Sequence, residues 1–335
     1  MSCCFQVFRL YNKVYYLCGV KTFYDMQFST LYYTLLNKPF FIDVRRIEAQ
    51  AVLIDKFLEH DVADMNDRKL SDSKPLPRMV SDQGSAAGAL AGSPGETTGD
   101  FAKAPKDSVA VIPLRGDMMK EGTMCSYGTE EIAAVIREAA DARNIIGIRL
   151  DIDSGGGAVD AIAPMLQAIA YSQAKGKPVV ASCDLCASAA YYVACQCNRI
   201  VADNSLSAEF GSIGVMMQFP DYAKYYEQKG IKIHTIYSNL SDWKNAPFEA
   251  ARRGDYASIK AEQLDPLARQ FQEAVKARRQ QLDQSVDGIL NGRMFYAADA
   301  LKYGLIDQVG TADDATQLVR RLAASMQLER YASSL

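Results

Sequence analysis

Strand-like and helix-like segments alternate from Ser108 onward, and this alternation constrains the fold more than any other feature of the chain. Apolar runs at 108–116, 145–153 and 177–184 are each followed by a segment with apolar residues at helical spacing. Strands that are continuously apolar are typical of parallel sheets buried on both faces. The pattern therefore predicts an α/β fold in which helices cover a mostly parallel sheet.

The remaining predicted elements continue this alternation. Thr129 is predicted to cap the first helix, because a hydroxyl before an apolar periodic run is typical of an N-cap. The other predicted strands are 199–203, 212–217 and 231–238, and the predicted helices are 129–143, 158–174, one beginning near 188, 221–230, 255–283, 297–303 and 311–326.

Composition divides the chain ahead of this region. Residues 65–107 are rich in Ser, Gly, Pro and Asp and almost free of β-branched and aromatic residues. Such a segment buries too little apolar surface to offset its ordering entropy, which predicts a flexible linker. The linker separates an N-terminal appendage, 1–64, of which 26–64 is expected to be ordered, from the main domain, 108–326. A short tail, 327–335, ends the chain.

The first 25 residues are apolar and aromatic but interrupted by charges, and they lack the features of a secretory signal. Met26 begins a more ordinary stretch. We therefore expect translation to start at Met26, with residues 1–25 an over-extended reading frame; the intact mass of the native protein tests this.

Size and charge exclude several classes of partner. A length of 335 residues is ample for a buried core. The formal net charge of −3 offers no general attraction for nucleic acid or an anionic membrane surface. Since no apolar run reaches the roughly eighteen residues of a membrane helix, no membrane span is predicted.

The eight cysteines are scattered rather than arranged as a disulfide framework. Cys183, Cys186, Cys195 and Cys197 have a spacing that could suit zinc, yet no histidine is near and they fall on a predicted strand end and an apolar helix. We expect buried reduced thiols and no metal, with zinc as the alternative. Unpaired thiols also suit a reducing, cytoplasmic compartment.

One serine, Ser188, lies between small residues where a strand is predicted to give way to a helix, in LCASAAYYV. A nucleophilic hydroxyl must be exposed, and small neighbouring residues let a substrate backbone come close to it. The turn DIDSGGGAVDA follows an earlier strand, and its glycines offer N–H groups to a developing oxyanion without side chains in the way. Both turns lie where strands end and helices begin, which is where sites form in open parallel sheets.

A serine nucleophile needs a base, and the chain has only two histidines. His60 lies in the appendage, and His234, in a predicted strand, suits a structural role better than a catalytic one. A lysine made neutral by burial is the alternative. Lys244, flanked by Trp243 and followed by a proline and an aromatic residue, is the candidate, although a solvated loop lysine has the same local sequence.

Other groups compete for the role of nucleophile. Ser154, inside the glycine turn, is better suited to shaping the loop, and Ser212 with Gly211 to structure or substrate lining. Cys186 could attack a carbonyl, but nothing nearby lowers a thiol pKa. The turn also lacks the lysine of a P-loop and the spacing of a dinucleotide fingerprint, so no nucleotide cofactor is predicted.

Five segments occur in the order and approximate spacing of one known family: VAVIPLRG, DIDSGGGAVDA, CASAAYYVACQCNRIVAD, EFGSIGV and NGRMFYAADALKYGLIDQVGTADDA. Over roughly residues 108–320 the chain resembles the signal-peptide-peptidase A family, Ser–Lys peptidases of the Clp/crotonase fold. The resemblance implies repeated β-β-α units whose helices cover a mostly parallel sheet.

The resemblance also implies residue roles. Ser188 corresponds to the nucleophile and Lys244 to the general base, and the oxyanion donors are N–H groups of Gly155, Gly156 and Gly157 together with that of Ser188. No metal or organic cofactor is implied.

Two departures from the family stand out. Ala189 and Ala190 follow the nucleophile where the family usually has glycines, and their methyl groups would narrow the cleft. An alignment without gaps puts Asp242 at the usual lysine position. Lys244 is the only lysine in that loop, so we prefer a local shift of two residues.

A short leader containing NKPFFIDVRRIEAQAVL precedes the core, and in this the chain looks like the phage or prophage branch of the family, which is linked to capsid maturation. This likeness implies a polypeptide substrate such as a capsid or scaffold protein, a homo-oligomer, and a location in the bacterial host cytoplasm or the phage prohead.

The expected function is a serine endopeptidase that prefers small or apolar side chains near the scissile bond, because its cleft is alanine-rich. Two alternatives stay open. A crotonase-type acyl-CoA enzyme would use the same N–H groups without Ser188, and a non-catalytic capsid assembly or scaffold protein would carry a decayed site.

Overall fold

The computed structural model describes residues 101–122, 127–219, 221 and 223–333, together with the backbone of four short strands nearer the N-terminus. The predictions about Met26 and His60 lie outside the described residues. Among the described helices, none combines the length and apolarity needed to cross a bilayer.

The described strands are, in chain order, β1 (Val7–Leu10), β2 (Lys13–Tyr16), β3 (Phe40–Ile42), β4 (Arg78–Val80), β5 (Ser108–Arg115), β6 (Ile145–Ser154), β7 (Gly156–Ala158), β8 (Val179–Ala187), β9 (Arg199–Ala202), β10 (Glu209–Gly211), β11 (Met294–Tyr296) and β12 (Gln308–Val309). β1 and β2 pair antiparallel within a separate unit, Met1–Lys38. The other strands belong to the second unit, Pro39–Leu335.

The described α-helices are α1 (Thr129–Asp141), α2 (Ile162–Ala174), α3 (Ala189–Ala194), α4 (Ala223–Gln228), α5 (Ala246–Arg252), α6 (Ala257–Ile259), α7 (Asp265–Arg278), α8 (Ala297–Lys302) and α9 (Ala312–Ser333). A π-helical turn, Lys260–Leu264, joins α6 to α7. α9 therefore runs through most of the predicted tail.

The central sheet has the strand order β11-β10-β8-β6-β5-β4, and β9 pairs with both β8 and β12. The pairs β5–β6, β6–β8, β8–β9, β8–β10 and β9–β12 are parallel, whereas β4–β5 and β10–β11 are antiparallel. The expected mostly parallel sheet is confirmed. Its central strands are mostly apolar and mostly buried, as is typical of strands that are covered on both faces.

Helices cover the sheet as expected. α1 packs against α2, and α9 lies on β6 and β8. One buried cluster joins Val109, Val180 and Val201 of three strands to Ala315 and Val319 of α9. Because these side chains are fully buried, each contributes about 1.5–3 kcal/mol of apolar transfer free energy, the alanine less.

The glycine turn belongs to a β-β-α unit. β6 runs into the turn at Gly155, β7 continues from it, and α2 follows after a short 3₁₀ turn, Val159–Ala161. This is the type of unit that the family resemblance implied.

Several predicted boundaries are wrong. The strand expected at 212–217 lies instead at 209–211, and residues 231–238 form no strand. The cap of α1 is Gly128, whose N–H donates to the Glu131 carboxylate at 2.8 Å, while the Thr129 hydroxyl is buried without a hydrogen-bond partner among the described residues. Within the predicted linker, β4 and a 3₁₀ turn at Phe101 are ordered elements.

Candidate functional site

Ser188 stands at the carboxyl end of β8, where the chain turns into α3. Its backbone has φ +54° and ψ −118°, a conformation that non-glycine residues rarely adopt and that costs about 1–3 kcal/mol. The turn is over-determined by its neighbours: β8 is buried, and the buried Tyr191 of α3 donates its hydroxyl to the Leu305 carbonyl at 2.7 Å. Such a turn holds one serine in a single position. Ser188 is nevertheless buried, which corrects the expectation of an exposed hydroxyl.

The glycine turn lies beside Ser188 because β6 and β8 are adjacent and parallel. Ser154, the last residue of β6, is in register with Cys186, two residues before Ser188. The carboxyl ends of the two strands therefore meet at one edge. The structure thus brings together Ser188 and the turn Gly155–Gly157, as the sequence predicted.

Ser154 shapes this turn. Its buried hydroxyl donates to the Gly116 carbonyl at 2.5 Å and accepts the Gly156 N–H at 3.2 Å. The second distance is at the long end for an N–H···O hydrogen bond. Ser154 is thus a loop-shaping residue, as expected, and its hydroxyl is engaged with the backbone.

Gly157 must be glycine for a steric reason. A Cβ at this position would overlap the backbone of Met118. On that side of β7, the Met118 N–H donates to the Gly156 carbonyl at 2.8 Å, and its carbonyl accepts the Ala158 N–H at 2.9 Å. Met118 thus closes one edge of β7, a contact that the sequence did not signal.

The Ser188 N–H, expected as an oxyanion donor, is engaged elsewhere. It donates to the Gly211 carbonyl at 2.9 Å, which is the last bond of the parallel ladder between β8 and β10. The expectation for this one donor is corrected. Ser212, which follows Gly211, also has a positive φ, +53°.

The cysteines near Ser188 are core residues. Cys183, Cys186 and Cys195 are free thiols and buried, as expected, and Cys197 is half-buried. Burial raises the pKa of the Cys186 thiol and raises that of Cys195 to about 12. A thiol that resists ionisation is a poor nucleophile at neutral pH, which disfavours Cys186 in that role.

Metal binding finds no support in the geometry of the described residues. No group of three or more His, Cys, Asp or Glu side chains there is arranged to hold a metal ion. The alternative of a zinc site at the four central cysteines therefore gains no supporting observation.

Lys244 lies in an exposed loop that precedes α5. Its own side chain is exposed, and within the described residues it makes no hydrogen bond with Ser188. Residues 231–245 have no regular strand or helix, and Ile236, Leu240 and Trp243 in this segment are 91%, 95% and 76% exposed. His234 is exposed as well, rather than packed in a strand. This chain alone does not bring Lys244 and Ser188 together.

Sequence reasoning missed one element of the site. The strand β3, Phe40–Ile42, pairs antiparallel with β7 on the edge opposite Met118. The signal was present as a short apolar run after Pro39. A run of three apolar residues does not reveal its pairing partner, so the sequence alone assigns this run only to the appendage.

Comparison with known proteins gives the following matches. Residues 171–326 match the model of Peptidase family S49. The chain is 25% identical over 223 residues to "Protease 4" of Haemophilus influenzae, covering 66% of this chain and 36% of that protein. It is 29% identical over 221 residues to "Head-tail preconnector protein GP5" of Enterobacteria phage P21, covering 64% and 43%.

A plant protein also matches: "Serine protease SPPA, chloroplastic" of Arabidopsis thaliana is 30% identical over 230 residues, which are 65% of this chain and 33% of that protein. The chain spans less than half the length of these curated relatives. Among solved structures, a mutant of the 1510-N membrane-bound stomatin-specific protease in complex with a substrate peptide is 19% identical, with a TM-score of 0.39, over 63% of this chain and 78% of that chain. The resemblance to the signal-peptide-peptidase A family, and to a phage head protein, is confirmed.

Proposed function

We propose, on the premise of the similarity of residues 171–326 to Peptidase family S49, that this chain is a serine endopeptidase. Ser188 is the nucleophile, Lys244 the general base, and N–H groups of the turn Gly155–Gly157 stabilise the oxyanion. No metal or organic cofactor takes part in this proposal.

The observation that carries the proposal is the strained turn at Ser188 beside the glycine turn. A serine with φ +54° at the end of a buried strand is over-determined by its surroundings, and strain of this kind concentrates at functional sites. The adjacent turn is buried but has no side chains over three residues, so its N–H groups are open to a carbonyl once a covering segment moves aside.

The proposed chemistry is acyl transfer. The Ser188 Oγ attacks the substrate carbonyl carbon while its proton passes to the neutral Lys244 amine, and the carbonyl π electrons move onto the oxygen. Collapse of the tetrahedral intermediate breaks the C–N bond, and Lys244 returns the proton to the departing amine. Water then hydrolyses the acyl-enzyme by the same steps.

The Gly156 N–H is the donor most easily released toward an oxyanion. Its bond to the Ser154 Oγ is long, 3.2 Å, and that hydroxyl keeps its own acceptor, the Gly116 carbonyl. A charged oxygen accepts a stronger hydrogen bond than a neutral hydroxyl does. The exchange therefore favours the transition state over the resting enzyme.

Lys244 becomes a base only if it loses solvent, because desolvation is what lowers a lysine pKa toward neutrality. In this chain the side chain is exposed, as are the apolar side chains of Ile233, Ile236, Leu240 and Trp243 in the same segment. Several large apolar side chains exposed in one segment are typical of a protein–protein interface. We propose that a second copy of the chain covers this segment, and that the homo-oligomer completes the site.

The proposed substrate is a polypeptide, with small or apolar side chains near the scissile bond. The similarity to a protein named as a phage head–tail preconnector supports a role in the maturation of a phage or prophage head or scaffold protein. That role sets the proposed location in the bacterial host cytoplasm or the prohead.

The test is labelling with a fluorophosphonate probe and cleavage of a peptide library by the full chain. Ser188→Ala is expected to abolish both labelling and cleavage, because no other hydroxyl occupies this turn. Ser325→Ala, on the exposed surface of α9, is the matched control and keeps both. Unchanged cleavage by Ser188→Ala overturns the proposal, and turnover of an acyl-CoA without labelling favours the crotonase-type alternative.

A further inference from the structure

The leader strand β3 occupies the edge of β7. The two strands are antiparallel, with Phe40 opposite Ala158, Phe41 opposite Gly157 and Ile42 opposite Gly156. β7 is the part of the glycine turn that leads away from Ser188, so the leader pairs with the site itself.

The hydrogen bonds of β7 show which of its groups meet the leader. The Gly156 carbonyl and the Ala158 N–H both point to Met118. Successive residues of a strand direct their backbone groups to opposite sides, so the N–H and carbonyl of Gly157 face the other side. Phe41 is the partner there, and the Phe41–Gly157 pair is the one whose backbone groups face each other.

The same strand lies close to α3, the helix that begins directly after Ser188. It therefore runs past both halves of the site, the glycine turn and the nucleophile turn. Ser188 is 1% exposed in this arrangement. A peptide carbonyl cannot reach a hydroxyl that is so enclosed unless a neighbouring segment moves.

An extended peptide binds a protein most simply by adding a strand to an open sheet edge. β7 has one edge closed by Met118 and the other occupied by β3. A polypeptide substrate that is to pair with Gly157 must therefore take the place of Phe41.

We propose that Phe40–Ile42 is an internal competitor that holds the peptide-binding edge of Gly156–Ala158 until a substrate displaces it. The inference rests on the proposed peptidase function and adds a regulatory contact to it. The apparent affinity for substrate equals the intrinsic affinity multiplied by the fraction of time for which the leader leaves the edge free. A leader that is seated nine-tenths of the time weakens substrate binding about tenfold.

Two neighbouring proline substitutions provide a matched test in the full chain. Phe41→Pro removes the N–H that faces Gly157, whereas Phe40→Pro removes one that points away from β7. Both replace the same residue type in the same strand. Each is combined with Ser188→Ala, so that peptide binding is measured without cleavage.

The probe is a fluorescent peptide with the leader's own sequence, NKPFFIDV, residues 37–44. Phe41→Pro is expected to bind it about tenfold more tightly than the parent chain. Phe40→Pro is expected to bind as the parent does. A second peptide with proline in place of the residue matching Phe41 checks the mode of binding, and it should bind none of the chains.

Equal affinity of the parent, Phe40→Pro and Phe41→Pro chains overturns the inference, as does equal binding of the two peptides. Failure of the function is seen separately, with Ser188 intact. If no chain cleaves any peptide while the tenfold difference in binding persists, the peptidase proposal falls and the leader contact stands. If all three chains cleave with the same kcat/KM, the peptidase proposal stands and the inference about the leader falls.

Discussion

The turn that holds Ser188 and the segment that carries Lys244 are built in opposite ways. Ser188 is buried at the end of a central strand, in a strained conformation fixed by packing and hydrogen bonds. Lys244 lies in an exposed loop whose apolar side chains contact solvent. The chain thus fixes the proposed nucleophile in one position and leaves the proposed base without the burial that base catalysis requires.

The proposed roles of Ser188 as nucleophile and Lys244 as base therefore rest on different kinds of evidence. The turn at Ser188, the proposed nucleophile, can be formed by one sheet, because adjacent parallel strands end together. A neutral lysine depends on its surroundings, and those are incomplete here. Each of the following predictions contrasts a variant with a matched control in one of the two regions.

The largest effect is expected at the base. Lys244→Ala should lower kcat/KM for a peptide substrate by about 10²–10⁴-fold, because general base catalysis contributes that much. Lys232→Ala, an exposed lysine of the same segment, should leave kcat/KM unchanged. Steady-state kinetics on the assembled protein measures both, and equal loss in the two variants would contradict a specific role for Lys244.

A large effect on stability is expected at the glycine turn. Gly157→Ala forces a methyl group against the Met118 backbone and should destabilise the fold by about 1–3 kcal/mol. Gly214→Ala, where a Cβ meets nothing within 4 Å, should change stability by less than about 0.5 kcal/mol. Urea unfolding compares them, and equal midpoints would show that β7 is not closed by Met118.

The buried thiols predict a pH dependence of the folded core. The Cys195 thiol has a pKa of about 12 in the folded chain, raised by burial from 9.0. Above pH 9 the unfolded chain loses this proton and the folded chain keeps it, so stability is intact below pH 9 and falls as the pH rises toward 12. The expected slope from this thiol is about 1.4 kcal/mol per pH unit.

Urea unfolding of the parent and Cys195→Ala chains at several pH values between 9 and 11 isolates this contribution. The variant should show a shallower decline, since its other titrating groups are the same. Parallel curves would mean that Cys195 is exposed to solvent in the folded protein.

The smallest effect on folding is expected in the exposed segment. Leu240→Ser and the matched Leu328→Ser of α9 replace side chains that are 95% and 70% exposed, and each should alter the free energy of unfolding by less than about 0.5 kcal/mol. Leu240→Ser alone should weaken self-association, as measured by sedimentation velocity. Unaltered association would remove the argument that a second copy covers Lys244.

The strand predicted at 231–238 does not form, and the reason lies in the limits of sequence patterns. Its apolar residues recur as they do in strands, and Ile231 and Ile233 alternate with polar positions. A strand, however, is stabilised by pairing, and residues 231–238 pair with nothing in the described chain. The periodicity shows that apolar side chains share one face, but it does not show which other segment that face contacts.

The misplaced cap of α1 has a similar origin. Thr129 has the residue type of an N-cap, but its hydroxyl is buried and the carboxylate of Glu131 reaches back to the Gly128 N–H. Cap preference is a local statistic, and the packing of this turn overrides it. In the same way, nothing in the sequence around Ser188 indicates that its N–H donates to the Gly211 carbonyl of β10.

The sequence by itself determined the parallel α/β sheet, the positions of Ser188 and the glycine turn, and their meeting at one edge. These follow from apolar periodicity and from the rule that parallel strands end together, both of which are read along the chain. Only the tertiary structure decided that Gly211 takes the Ser188 N–H, that Met118 closes one side of β7, and that the leader occupies the other. Those are pairings between segments far apart in sequence, and a backbone hydrogen bond leaves no mark on the residue type that makes it.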